Sequence, residues 1–316
     1  MNNIWPIFSF LKSKSDAGLK TALVTLTAVT GASTRNPGTH MAIGEDGSFS
    51  GSFSGGCVEV AVVSEALDVI KSGEPREVRF GAGSPYLDIR LPCGGSIDLL
   101  FTPIADGSII DDIFDRIIKR DPLTIILDSK SADIRCETQI SHKASVEREG
   151  PEIQVHHIPA ARMIIIGHGP SVESLVRLSV SYGIDCAVLS PDPVVVDQVK
   201  GLASTVNLLK TPEANSFLNP DPWTACIFYF HDHDWEALLM KQALSSSAFY
   251  VGAMGSRKTH ALRQAYLEEF GVSKAELARM SAPIGLIPST RDPATLALST
   301  LAEVVESYHR HFGYRA

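Results

Sequence analysis

The stretch that decides the fold is RMIIIGHGPSVESLVRLSVSYGIDCAVLS, residues 162–190. The run MIIIG is typical of a buried strand, the segment after it has helical spacing, and IDCAVLS is a second strand. The same alternation returns after the strands at residues 226–230 and 248–254. Strands that alternate with helices of this length indicate a parallel, doubly wound sheet. We therefore predict a Rossmann-like domain over residues 161–316.

An α/β pattern of another kind fills the first half of the chain. An apolar strand ends in the loop TGASTRNPG at residues 30–38, and a turn at 45–47 joins two short strands. A helical pattern then runs over residues 58–70. Further elements are predicted as strands at 77–80, 96–104 and 123–128, a helix at 109–119 and weaker strands as far as 158. We predict an N-terminal α/β domain over residues 1–160.

The composition excludes several classes of protein. Of the 316 residues, 44% are hydrophobic and 20% are charged, which is typical of a soluble protein with room for two domains. No apolar run is long enough for a membrane span, and the first residues lack the order of a signal peptide, so we expect a cytoplasmic protein. The net charge of −8, without a basic tract, argues against nucleic acid or an anionic membrane as a partner.

The cysteines point to chemistry at two glycine-flanked turns. Five scattered cysteines without a CxxC pair argue against a disulfide scaffold or a zinc site. The motif GGC at residues 55–57 precedes a helix, and a helix N-terminus lowers the pKa of a thiol, which favours a nucleophile or metal ligand. The motif CGG at 93–95 lies at a second turn. Small buried cysteines are the structural alternative, but glycines let the backbone approach a ligand closely.

The turn GHGP, residues 167–170, follows a strand and opens a helix, where backbone N–H groups and the helix dipole favour an anion. As a dinucleotide fingerprint it is incomplete. Val172 stands at the third glycine position, and Ser190 stands where an acidic ribose-binding residue would often end the second strand. Phosphate or pterin binding, NAD(P) binding and a purely structural turn are the alternatives at this point.

Two further strand–helix junctions carry polar residues. HDHD at residues 231–234 follows a strand at its carboxyl end, where ligands of such sheets bind. It is a ligand-contacting cluster, part of a metal site, or a cap for the next helix. In GAMGSRKT, residues 252–259, Gly255 allows close approach, Ser256 can cap the helix and Arg257 offers positive charge. A capped helix with solvated basic residues is the structural alternative.

These pieces occur in one order along nearly the whole chain. TGASTRNPG, GSFSGGCVE, CGG, GHGP, FYFHDHDWEALL, FYVGAMGSRKTHALR and PIGL…DPATLALSTLAEVV follow one another as in XdhC/CoxI proteins, and the chain resembles that family. The resemblance implies an N-terminal XdhC/CoxI domain, a C-terminal Rossmann-like domain and a homodimer. It implies a maturation factor rather than an enzyme. Such a chaperone binds sulfurated molybdenum cofactor (molybdopterin), protects it and passes it to a molybdenum hydroxylase such as xanthine dehydrogenase, with a cysteine desulfurase as a further partner.

By position, the resemblance assigns a set of cofactor-binding residues, and it makes the two glycine-flanked thiols, Cys57 and Cys93, candidate ligands of the metal. The cofactor-binding set is Arg35, Gly55, Gly56, Cys57, Glu59, Cys93, Gly94, Gly167, Gly169, His231, Asp232, Gly252, Gly255, Ser256 and Arg257. Four positions depart from the family pattern and indicate a diverged member with its own client enzyme. These are Ala32, Thr34, Ser289 and Thr295.

The chemistry of the motifs agrees with this assignment. Glycine-rich strand–helix turns suit the phosphate of the cofactor, and soft thiolates suit its molybdenum end or a sulfur-transfer step. Two other hypotheses stay open. An NAD(P)-dependent oxidoreductase would share the Rossmann turn but needs a proton donor and a hydride-acceptor pocket, which the sequence does not identify. A non-catalytic assembly subunit would bind the hydroxylase without binding the cofactor, and its two glycine-flanked cysteines would be dispensable.

Overall fold

The computed structural model describes residues 3–56, 58–84, 94–139, 144–230 and 235–313. The chain divides into two compact units, unit 1 up to Pro159 and unit 2 over Ala160–Gly313. No helix in the described ranges is long and apolar enough to cross a membrane.

Unit 1 contains two antiparallel sheets and three helices among its described residues. Sheet A has the strand order β3-β2-β1-β5-β4, and sheet B has the order β7-β6-β9-β8. The elements are α1 Trp5–Asp16, β1 Thr21–Thr30, β2 His40–Gly44, β3 Phe49–Ser50, α2 Glu59–Ser72, β4 Arg76–Gly81, β5 Ser96–Ile104, α3 Ser108–Lys119, β6 Leu123–Asp128, β7 Ile134–Glu137, β8 Val146–Glu149 and β9 Glu152–His157.

Strand β1 is the centre of unit 1 and is buried on both faces. Its residues Ala22, Val24 and Leu26 pack in one core with α2 and with β5. Leu23 points to the opposite face, into a second core that includes α1, α3 and sheet B. Because successive side chains of a strand point to opposite faces, a strand between two cores is apolar at nearly every position. This explains the unbroken run ALVTL at the start of β1.

Unit 2 is built on sheet C, whose described strands all run parallel in the order β12-β11-β10-β13-β14-β15. In chain order this is 3-2-1-4-5-6, the arrangement of the Rossmann fold. The elements are β10 Arg162–Gly167, α4 Pro170–Tyr182, β11 Asp185–Ser190, α5 Pro193–Val199, β12 Thr205–Leu208, β13 Thr224–Tyr229, α6 Ala237–Leu244, β14 Tyr250–Ala253, α7 Arg257–Glu269, α8 Lys274–Leu277, β15 Met280–Ser281 and α9 Pro293–Phe312.

The predicted fold class is confirmed: the chain is α/β, with a Rossmann-like second part. The sequence pattern missed short elements such as α5 and β12, and it missed α1. Helix α1 buries Ile7, Phe8 and Leu11 in the second core of unit 1. This spacing places the three residues on one face of a helix. The pattern is a weak sequence signal for a helix, however, because it extends over few turns and includes Pro6.

A pair of buried imidazoles joins sheets A and B. Nε2 of His40 and Nε2 of His157 lie 2.9 Å apart, and Nδ1 of His40 lies 2.9 Å from Oγ1 of Thr25. One ring donates the shared proton and the other accepts it, so the accepting Nε2 must be unprotonated. Burial lowers the pKa of His40 from 6.5 to about 3. Burial, and then the neighbouring rings of His40 and His156, hold the pKa of His157 well below 6.5.

The stability of unit 1 should therefore fall in acid. Both folded-state pKa values are depressed, so the pair stabilises unit 1 fully above pH 6.5. Below that pH the unfolded chain takes up two protons that the folded rings refuse, at a cost of about 1.4 kcal/mol per ring and pH unit until the folded rings also titrate. Urea titrations at several pH values, read by pulse-labelling hydrogen exchange in β1 and β9, would measure this slope. A His40→Gln/His157→Gln variant should show a shallower slope, and an equal slope in both proteins would contradict the assignment.

Candidate functional site

Three of the predicted motifs meet at one end of sheet A. The loop after β1, the loop between β3 and α2, and the turn before β5 contact one another there. We call their described residues the loop cluster (residues 31–38, 51–56, 58 and 94–95). Oγ1 of Thr34 donates to the carbonyl oxygen of Phe53 at 3.2 Å. Nε of Arg35 donates to the carbonyl oxygen of Ser52 at 3.1 Å. Segments about twenty residues apart in sequence are thus tied together.

The turn before β5 joins the cluster through backbone packing. A Cβ atom at Gly95 would lie 2.4 Å from the carbonyl oxygen of Thr30, and one at Gly31 would lie 3.2 Å from Cα of Gly95. The two glycines therefore let the β1 and β5 loops touch directly. At Gly94, by contrast, a Cβ atom would meet nothing within 4 Å. The CGG motif thus contains one glycine required for packing and one that faces open space.

The carboxylate of Glu59 organises the loop between β3 and α2. In the described part of the chain it accepts hydrogen bonds from four backbone N–H groups and two hydroxyl groups, at 2.7–3.2 Å. The donors are Ser52 Oγ, Phe53 N, Ser54 N, Ser54 Oγ, Gly56 N and Val58 N. Burial raises the pKa of Glu59, but the bonds from Ser54 and Ser52 outweigh it and hold the pKa at about 2, below the ordinary 4.5. The side chain is therefore a buried anion whose oxygens are directed at its own loop.

The predicted cofactor-binding glycines of this loop lie beside that carboxylate. Gly56 has a φ of +127°, a conformation that side chains disfavour, and it donates its N–H to Glu59 at 2.7 Å. A Cβ atom at Gly55 or Gly56 would meet nothing within 4 Å. The loop therefore presents exposed backbone on its outer side, as a close approach by a ligand requires.

Arg35 is exposed at the rim of the cluster. Its Nε is used to hold the Ser52 carbonyl. Its two terminal nitrogens have no hydrogen-bond partner within the described ranges. A guanidinium held by one edge presents its other donors in a fixed direction, which suits an anionic group.

Cys57, Cys93, His231 and Asp232 lie outside the described residues, so the predictions for them stay predictions. The three described cysteines have free thiols that favour the protonated form. Burial raises the pKa of Cys186 and of Cys226 to about 12. Burial and the carboxylate of Asp112 raise the pKa of Cys136 to about 11. Among the described residues, no group of three or more His, Cys, Asp or Glu side chains is placed to hold a metal ion.

In unit 2, the two glycines of GHGP have different surroundings. A Cβ atom at Gly167 would lie 2.4 Å from the carbonyl oxygen of Tyr229, so this residue lets β10 and β13 end in close contact. Gly169 is the residue before α4 and has open space around it. No side chain in the described part of the chain caps α4 at this end. The open N-terminus of α4 thus lies where the strand order of sheet C reverses, the usual ligand position in this fold.

The GAMGSRKT junction contains the remaining predicted residues. Gly252 is buried in β14, where a Cβ atom would lie 2.5 Å from the Tyr250 ring, which is a packing reason for glycine. Ser256 caps α7 by accepting the N–H of Thr259 at 3.1 Å, as predicted from its position. Arg257 is exposed at the first position of α7.

Sequence reasoning missed a buried ion pair behind this junction. Nε of Arg263 donates to Oε1 of Glu236 at 2.7 Å, and both side chains are only 2% exposed. Nη2 of Arg263 also donates to the carbonyl oxygen of Met254 at 2.8 Å. The signal was present in the motif as the final arginine of GSRKTHALR, but a helical arginine is usually read as solvated.

The comparisons with known proteins agree with this architecture. The family model described as XdhC and CoxI family matches residues 15–81, and the model described as XdhC Rossmann domain matches residues 163–304. The molybdenum cofactor insertion chaperone PaoD of Escherichia coli (strain K12) is 34% identical over 289 residues, which cover 91% of this chain and 83% of PaoD. The chain belongs to the XdhC and CoxI family.

Two other relatives of this XdhC and CoxI protein carry less functional information. The uncharacterized protein YqeB of Escherichia coli (strain K12) is 22% identical over 292 residues, and the chain spans 41% of its length. A solved structure described as a xanthine dehydrogenase from Bacillus halodurans superposes with a TM-score of 0.75 over 96% of both chains, at 20% identity. That likeness shows the fold. The XdhC and CoxI match in unit 1 includes Arg35 and Glu59, and the Rossmann match in unit 2 includes both glycine-rich junctions.

Glu59→Gln should loosen the loop of this XdhC and CoxI protein without removing its fold. The amide turns one acceptor oxygen into a donor that faces other donors, so we expect a loss of roughly 1.5–3 kcal/mol in the free energy of unfolding. Because the folded-state pKa is depressed, the wild-type contribution is present above pH 4.5 and is lost as the pH falls towards 2. Urea unfolding at pH 7 would measure the loss. Asp68→Asn, an exposed change on the same helix, is the control, and equal losses would contradict the role of Glu59.

Proposed function

We propose that this protein is a molybdenum cofactor chaperone that protects sulfurated cofactor and delivers it to a molybdenum hydroxylase such as xanthine dehydrogenase. The observation that carries the proposal is the loop cluster. A buried carboxylate fixes the loop of the GGC motif, and glycines leave its outer face open. This occurs in a chain 34% identical to a protein named as a molybdenum cofactor insertion chaperone.

The donor groups of this protein fit such a cofactor. When bound, the cofactor supplies molybdenum with sulfur and oxygen ligands and a phosphate on its pterin. Arg35 would bind an anionic part of the cofactor through its two terminal nitrogens. Cys57 and Cys93 would supply soft thiolate ligands at the molybdenum end. Alternatively, one thiolate would attack the outer sulfur of a persulfide on the desulfurase, whose own thiolate would leave as the S–S bond breaks. Glu59 would act as a positioning residue, because its oxygens are already engaged by the loop.

The proposal also concerns the partners of the protein, its location in the cell and its oligomeric state. A chaperone role requires a molybdoenzyme client, and we propose an apoenzyme of the xanthine dehydrogenase type. A cysteine desulfurase would supply the sulfur, and the protein would act in the cytoplasm as a homodimer. The family membership supports these statements.

Cys57→Ser tests the proposed role of the thiol. In the sequence Cys57 follows Gly55 and Gly56 and precedes a helix. From that position we expect it to lie outside a tightly filled core, and the free energy of unfolding to change by no more than about 0.5 kcal/mol. Molybdenum and pterin content should fall sharply, because a hydroxyl group is a poor, hard substitute for a thiolate. Both quantities would be measured on protein purified from a molybdenum-replete host.

Cys136→Ser is the matched control. That thiol donates to Oδ2 of Asp112 at 2.9 Å and has a raised pKa, so it is a poor ligand at neutral pH. The control should keep its molybdenum. A destabilised Cys57→Ser protein with unchanged molybdenum content would show that Cys57 is a packing residue.

A dinucleotide-binding function is the second candidate, because the strand order of sheet C and the open Gly169 favour it. The end of β11 argues against it. Oγ of Ser190 accepts the N–H of Asp192 at 3.1 Å, and the Asp192 carboxylate caps α5 by accepting the N–H of Val194 at 2.9 Å. The carboxylate that would bind a ribose is thus engaged in a helix cap. A thermal shift with NAD(P)H, but none with cofactor, would favour the oxidoreductase.

A further inference from the structure

The buried ion pair of unit 2 connects two junctions at the carboxyl edge of sheet C. Glu236 stands directly before α6, which follows β13, and Arg263 lies on α7, which follows β14. The guanidinium holds both oxygens of Glu236, at 2.7 and 3.3 Å, and the carbonyl oxygen of Met254 at 2.8 Å. Two of the three guanidinium nitrogens are thereby used.

The third nitrogen has no acceptor among the described residues. Nη1 of Arg263 is buried and has no hydrogen-bond partner within the described ranges. Nδ1 of His260, one turn earlier on α7, is also buried without a partner there. A guanidinium stays charged at all ordinary pH values, and its buried N–H groups require acceptors. An oxygen atom beside Nη1 would meet that requirement.

Nη1 of Arg263 lies beside the turn that begins α7. Nη1 is 3.6 Å from the position that a Cβ atom would have at Gly255, and Gly255 itself is exposed with a φ of +137°. A side chain at this position would be strained and would crowd Thr259, at 3.2 Å. Glycine thus keeps the surface next to Nη1 free of any side chain.

The charge around this turn favours an anion. Arg257 and Lys258 are exposed in the first turn of α7, where the helix dipole is positive. Glu236 is already paired with Arg263, so it cancels one positive charge and leaves the other two. Burial and the charge of Arg263 lower the pKa of His260, so its ring adds no charge at neutral pH.

We propose that Nη1 of Arg263 is the buried donor of an oxyanion site at the start of α7, and that its ligand is a phosphate group. The site rests on the proposed function for the source of that phosphate, which is the phosphate of the molybdenum cofactor. Arg257, Lys258 and the first N–H groups of α7 complete the site from the solvent side. Arg263 thereby has two roles, because it connects the two junctions and donates a hydrogen bond to the ligand.

Inorganic phosphate is the probe for the site itself. The full chain would be produced in a host that cannot make the cofactor and titrated with phosphate by calorimetry at constant ionic strength. We expect one binding event for the wild type. Arg263→Lys should weaken it roughly tenfold or more, because an ammonium group cannot serve Glu236, Met254 and an anion together. Lys274→Ala, an exposed change at the start of α8, should leave the affinity unchanged.

A second variant distinguishes loss of phosphate binding from loss of the fold. Arg263→Met combined with Glu236→Leu removes both buried charges together and leaves neither unpaired, which proteins often tolerate. Its melting temperature should stay close to that of the wild type while phosphate binding is lost. Wild-type protein that binds no phosphate, or a folded double variant that binds it equally well, would overturn the site, with water then the acceptor of Nη1.

Protein loaded with cofactor distinguishes the source of the phosphate. Loading should abolish the calorimetric phosphate signal if the cofactor occupies the site, and a persisting signal would overturn that part of the inference. The proposed function fails separately, through purified wild-type protein that holds neither molybdenum nor pterin. Normal molybdenum content with no Arg263-dependent phosphate binding would retire the site and leave the chaperone role intact.

Discussion

The carboxylate of Glu59 is the interaction on which the loop cluster of unit 1 depends. A loop with two consecutive glycines has many conformations, and ordering it has a high entropic cost. Six donors from residues 52–58 converge on one buried carboxylate and offset that cost. The same loop holds Arg35 and Thr34 through its carbonyl groups. Glu59 of α2 therefore orders the loop before that helix, and this loop in turn holds the loop after β1.

The sequence predicted elements better than it predicted what their residues do. Buried strands and the turn at GHGP were readable because apolar runs and glycine positions are local signals. The contact between Gly31 and Gly95 was not, since it requires the pairing of β1 with β5. Glu59 is predicted as a cofactor contact, and its bonds to its own loop depend on a backbone conformation that the sequence does not reveal. Arg263 was missed because burial of a helical arginine depends on a partner from another helix.

The glycines of the candidate site belong to two physical classes. Gly167, Gly252 and Gly95 are required where another atom occupies the place of a side chain. Gly55, Gly56, Gly94 and Gly169 have open space in that place. A glycine of the second class leaves room for a ligand against the backbone, whereas one of the first class does not, so a motif rich in glycine does not identify a site by itself. In the sequence, the open glycines precede α4 or neighbour Cys57 and Cys93.

Two carboxylates that are buried in the described part of the chain, Glu59 and Glu236, are stabilised in different ways. Glu59 keeps its charge and is stabilised by backbone N–H and hydroxyl donors, which are themselves uncharged. Glu236 is neutralised by a guanidinium, which has more N–H groups than one carboxylate and one carbonyl can accept. When a carboxylate is buried against an arginine, some of the buried guanidinium N–H groups are therefore left without an acceptor. The first arrangement fixes a loop and is complete, whereas the second fixes two junctions and still requires an acceptor.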